Sequence, residues 1–164
     1  MKNIYDRLTE LLNEPDYGPL FCQWLEDLNE GPYIETAGPT DQELLLYFFR
    51  RHGIRLKALA DKGLPRRFFQ IALYIHSNEV EGGYCGAFSG ELPYNVESGD
   101  PIDVVRKKFD AAGNTPMDTG YLHTDSVTKL HYGLWPLQIS FSFKNADGQM
   151  HIVHLTHFGK PSEI

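Results

Sequence analysis

The sequence predicts an α+β fold of two tandem modules, each made of short helices packed on an antiparallel β-meander. Three observations carry this expectation. Apolar residues recur at helical spacing near the N-terminus and again after Asp100-Pro101, and apolar and polar residues alternate in several later segments. The order of helix followed by strands also runs twice along the chain, over 1–78 and 91–164, with 79–90 as the connector.

Ile4, Leu8, Leu11 and Leu12 make the apolar stripe of a first helix. Pro15-Asp-Tyr-Gly18 breaks it, and Pro19 restarts the pattern with Leu20, Phe21, Trp24, Leu25 and Leu28. Proline suits the first helical position, where its missing N–H would have had no partner. Gly31-Pro32 ends this second helix. Segments 43–50, 53–60 and 67–76 then predict a meander. Ile54, Leu56 and Ala58 alternate with Arg55 and Lys57; Asp61-Lys-Gly-Leu-Pro65 supplies a turn; Phe69, Ile71, Leu73 and Ile75 form the inward face of the next strand.

After a Gly-rich connector the order starts again. Asp100 is expected to accept hydrogen bonds from the first-turn N–H groups, with Pro101 at the first helical position and Ile102, Val105 and Phe109 as the stripe. Asp103 adds negative charge at the positive end of the helix dipole. Leu137, Ile139, Phe141 and Phe143 then point inward, with Gln138, Ser140, Ser142 and Lys144 outward. Asn145-Ala-Asp-Gly148 is a hairpin turn leading into the strand MHIVHLTHF.

At 164 residues and 41% hydrophobic content, the chain can bury one substantial core or two small ones. A formal charge of −7 disfavours nucleic acid and anionic membrane as partners, because both reward clustered positive charge. The N-terminal MKNIYDRLTELLNE lacks the apolar run of a secretory signal, which places the protein in the cytoplasm. Cys22 and Cys85 have no metal or redox spacing, and Cys22 reads as a small buried apolar residue.

The pattern resembles a known group. It comprises a leading helix pair, a strand hairpin around His52-Gly-Ile-x-Leu56, a strand Ile71-x-Leu-Tyr-Ile75, and a linker with Gly90-Glu-Leu-Pro93. A helix Gly99-Asp-x3-Val-Val-x-Lys-Lys-Phe109 and a closing hairpin follow. These are similar to small cytoplasmic bacterial proteins that look like tandem modules of the fold shared by beta-lactamase inhibitory protein and the SmpA/OmlA outer-membrane assembly lipoproteins. The resemblance covers nearly the whole chain, although Phe109 to Pro116 carries insertions relative to the group's pattern. It implies an immunity protein of a toxin or secretion-effector system, binding a cognate toxin and occluding its active site, with no enzymatic activity of its own.

The residues suggest no catalytic centre and no cofactor. Neither cysteine stands in a nucleophile motif, the serines lack a G-x-S-x-G elbow, and no phosphate-binding glycine loop occurs. His151, His154 and His157 are candidate metal ligands, but on a regular strand His154 points away from the other two. The expectation is therefore no metal, with a His-based metal- or ligand-binding protein or small enzyme, its pocket between the halves, as the alternative function. Arg50, Arg51, Arg55, Lys57, Arg66 and Arg67 collect on the first sheet and read as edge-strand protection rather than as an RNA or phosphate surface. For binding a toxin whose substrate is anionic, the candidate contacts are Glu35, Asp41 and Glu43 entering the first sheet, with Glu79, Glu81 and Tyr84 in the connector. Association of two copies through a sheet edge is the remaining alternative.

Overall fold

A computed structural model describes residues 4–37, 43–60, 64–80 and 83–158. The chain is α+β. Helices α1 (Ile4–Leu11) and α2 (Pro19–Leu28) precede strands β1 (Tyr33–Ala37), β2 (Glu43–Phe49), β3 (Ile54–Ala60) and β4 (Arg67–Tyr74). A small hairpin, β5 (Asn78–Val80) and β6 (Gly83–Cys85), leads into helix α3 (Ile102–Ala111). Strands β7 (Pro116–His123), β8 (Val127–Leu134), β9 (Leu137–Lys144) and β10 (Met150–His157) follow.

Eight strands form one antiparallel sheet in the order β1-β2-β3-β4-β10-β9-β8-β7. The last strand of each half meets the other at the centre, where Leu73 pairs with Val153 and Ala72 with His154. The sheet is therefore continuous across the two halves of the chain.

All three helices pack on one face. Phe21 sits 4.7 Å from Phe68 and 5.6 Å from Tyr47, and Trp24 meets Phe49 edge-on at 4.7 Å. On the other half Phe109 lies 4.4 Å from Tyr132 and 5.3 Å from Phe141. Tyr5, Leu8 and Leu11 from α1 and Val105 from α3 complete a core that includes Ile54, Leu56, Ile71, Leu73, Ile139, Val153 and Leu155.

Pro19 opens α2 as expected, and Asn29 closes it in the left-handed conformation. Helix α3 differs. It begins at Ile102, so Pro101 is the cap rather than the first helical residue, and no side chain caps it. Asp100 turns back instead, accepting from the Glu97 N–H at 2.8 Å and from Lys108 Nζ at 2.6 Å. A break in register at Lys57–Ala58 puts Phe68, not Phe69, into the core, because an extra residue in one strand flips the side chains beyond it. Cys22 is exposed, contrary to its expected burial, because α2 turns Phe21 and Trp24 inward.

Asp16 is buried in the α1–α2 loop. It accepts hydrogen bonds from Tyr47 Oη at 2.7 Å and Arg66 Nη1 at 2.8 Å, which ties the helix pair to β2 and to the start of β4. Gly53 at the β2–β3 turn has φ +64, and the connector passes directly over it.

Candidate functional site: the helix-free face of the sheet

Strand alternation leaves the second face of the sheet without a helix. A row of neighbouring residues crosses it: Phe48 on β2, Arg55 on β3, Ala72 on β4, His154 on β10, Ser140 on β9 and His131 on β8. A second row holds Leu46, Lys57, Gln70, Thr156 and Gln138. A third holds Tyr74, Ile152, Ser142 and Lys129. Leu46, Phe48, Ala72, Tyr74, Ser140 and Ser142 are buried although no helix packs on them. Long neighbouring side chains lie across this face: the Arg50 guanidinium stands 4.3 Å over the Tyr33 ring, and that of Arg55 stands 6.0 Å over Tyr74.

The face is cationic. Arg50, Arg55, Lys57, Lys129 and Lys144 belong to it, and the register adds Glu35 on the edge strand β1. Since the whole chain carries −7, the rest of the surface is more acidic than that figure suggests. The charges act on one another. Burial, and then Arg55, lower the Lys57 pKa. His154 is held down to about 3 from an ordinary 6.5, first by burial and then by Arg55, Lys129, Lys57 and His151. Burial and Lys129 lower His131 as well.

Several buried polar atoms here have no hydrogen-bond partner among the described residues: Arg50 Nε, Arg55 Nε, His131 Nδ1, Ser142 Oγ and His151 Nδ1. Burying such groups without partners costs on the order of 1–3 kcal/mol each.

Two sequence expectations are corrected by this arrangement. Arg55 and Lys57 do not protect an edge, because β3 lies between β2 and β4 inside the sheet. His151 and His154 are not on opposite sides: a register break between Met150 and Ile152 sets His151 beside Lys129, Lys144 and Ser142 of the helix-free face, where it also acts on His154. The cations surrounding these imidazoles oppose a bound metal ion. Among the described residues no group of three or more His, Cys, Asp or Glu side chains could hold one.

The acidic candidates within the described residues lie on separate elements. Glu35 pairs with Leu46 at the sheet edge. Glu43 belongs to β2, and Glu79 pairs with Tyr84 in the β5–β6 hairpin, separate from the main sheet. Asp41 and Glu81 lie outside the described residues. A cleft of about 520 Å³ is present beside the linker, lined by Phe88, Leu92, Asn95, Glu91 and Glu97 among others, and no histidine lines it. Trp135, at the β8–β9 turn, is 80% exposed.

Comparison with family models, curated proteins and solved structures finds no match. Among the described residues no helix is long and apolar enough to cross a membrane.

Proposed function

We propose that this chain is a binding module, a cytoplasmic immunity protein that neutralises a cognate toxin by occluding its active site, and that the helix-free sheet face is its docking surface. The observation that carries the reading is the cationic face itself, with its buried aromatics and its polar atoms that have no hydrogen-bond partner among the described residues. Its dimensions fit. Eight strands about 4.8 Å apart, of seven or eight residues each apart from the five-residue edge strand β1, rising about 3.3 Å per residue, make a face of roughly 34 by 23 Å. That is about 800 Å², one partner's share of a standard interface.

The occupant this face suits is an acidic protein surface, by charge complementarity. On this reading Glu35 belongs to the rim of the face, and Glu79 to the separate β5–β6 hairpin. The mirrored strand order supports reading 1–78 and 91–164 as two tandem modules joined by 79–90, and the resemblance to the inhibitory-protein fold points the same way.

The test is neutralisation. The protein is tagged and captured from its host, and the stoichiometric partner is expressed alone and together with the chain. Growth arrest by the partner, rescued by the wild type and by Glu26→Trp on exposed α2 but not by Thr156→Trp on the open face, is the expected result. Rescue by the folded Thr156→Trp variant, or absence of any toxic partner, would overturn it.

A further inference from the structure

The open face has an internal organisation that specifies what part of a partner it receives. Arg55 lies two strands to one side of His154 and Lys129 two strands to the other, on β3 and β8. Small residues flank His154 and Ile152 between them. Ala72 separates Arg55 from His154, and Ser140 and Ser142 of β9 separate His154 and Ile152 from His131 and Lys129. Strands spaced about 4.8 Å apart put the two cations' backbones roughly 19 Å from each other. Arg55, Lys57 and Lys129 all act electrostatically on His154, so the three cations converge on it above Ala72, Ser140 and Ser142, which are themselves buried.

We infer that the centre of the open face is an oxyanion subsite that receives a carboxylate side chain of the docking partner, between Arg55, Lys57 and Lys129 and above His154. This rests on the docking role proposed above. The groups facing His154 from the surrounding strands are Arg55 and Lys57 on β3, Tyr74 and Gln70 on β4, Ser140, Ser142 and Lys144 on β9, and Lys129 and His131 on β8. His151 is its neighbour on β10, and Asp147 of the β9–β10 turn lies close enough to act on His151. The cations repel one another, and an anion converts that repulsion into attraction. A bound carboxylate also favours protonation of the imidazoles around it.

A carboxylate suits the site better than a nucleic acid backbone. The cationic centre is compact and belongs to a chain of net charge −7, so a polyanion running past it meets acidic surface within a few screening lengths of about 8 Å. Discrete side-chain carboxylates on a folded partner avoid that repulsion.

The experiment titrates hexaglutamate into the full chain at constant ionic strength while histidine side-chain resonances are followed by NMR. Saturable shifts of His154 and His131 are expected, with affinity lowered at least ~10-fold by Lys57→Glu or Lys129→Glu and unchanged by Lys107→Glu on exposed α3. Circular dichroism melts verify that each variant folds. Absent or non-saturable shifts, equal weakening by Lys107→Glu, or tighter binding of a single-stranded RNA oligonucleotide than of the peptide would overturn the subsite. Toxin neutralised equally well by the wild type and Lys57→Glu, with no peptide shift, would remove the subsite and leave the docking role standing. Saturable peptide binding without any neutralised toxin would keep the subsite and remove the docking role.

Discussion

Replacing His154 with glutamine should flatten the acid side of the stability profile. In the folded protein this imidazole titrates at about 3 against an ordinary 6.5, because it is buried and then because Arg55, Lys129, Lys57 and His151 surround it. A base whose pKa is lowered by folding contributes stability that is complete above its unfolded value and is lost as pH falls toward the folded one. Between those limits the unfolded chain binds a proton that the native state refuses, so stability drops by up to about 1.4 kcal/mol per pH unit. Integrated from pH 8 to pH 5, the loss assigned to His154 is about 2 kcal/mol. Urea unfolding at pH 8, 6.5 and 5 on wild type and His154→Gln measures it directly. Half-buried His131 and His151 also have lowered pKa values, but they are common to both proteins and largely cancel in the difference. If the two profiles run parallel within about 0.5 kcal/mol, His154 does not sit in the cationic environment described, and the reasoning built on that face fails.

Four further outcomes test the fold that positions this face. Asp16→Ala should destabilise the protein by about 3–5 kcal/mol in chemical denaturation, because it strips Arg66 and Tyr47 of a buried carboxylate at 2.8 and 2.7 Å. Tyr47→Phe, which removes one hydrogen bond to a charged group, should cost about 1.5–3 kcal/mol in the same assay. Gly53→Ala should cost at least about 2 kcal/mol, since φ is +64 and the new Cβ would lie 2.5 Å from Gly86 O and Phe88 N; hydrogen exchange should then accelerate over 83–90. Phe109→Ala should cost about 3–5 kcal/mol by emptying the space against Tyr132 and Phe141, read as a fall in denaturation midpoint.

The helices and inner strands are legible in the sequence because each carries its own period. Ile54-x-Leu56-x-Ala58 alternates, Phe21 and Trp24 share a helical face, and Leu137 to Phe143 alternates without interruption. Strand β1, Tyr33-Ile-Glu-Thr-Ala37, was not expected, because an edge strand open to solvent needs no apolar alternation. Strand β7 carries Pro116 and Gly120, which weaken any strand pattern. The short β5–β6 hairpin lies in what read as plain connector. The candidate site was the least legible part. Arg55 and Lys57 were visible as outward residues, but their placement beside His154 depends on β4 pairing with β10, a contact between residues about eighty positions apart. The bulge that brings His151 to the same side is equally invisible to periodicity. Loop acids such as Glu79 and Glu81 attracted attention through composition alone, which says nothing of which side chains converge.

The central claim is that a toxin docks on the helix-free face. The most direct measurement incorporates a photo-cross-linking residue at Thr156 on that face or at Glu26 on α2, and irradiates each with the captured partner. The account predicts a covalent adduct from position 156 and none from position 26, with the adduct mapping to an acidic segment of the partner. Cross-linking from position 26 alone, or from position 156 to a basic segment, would contradict it.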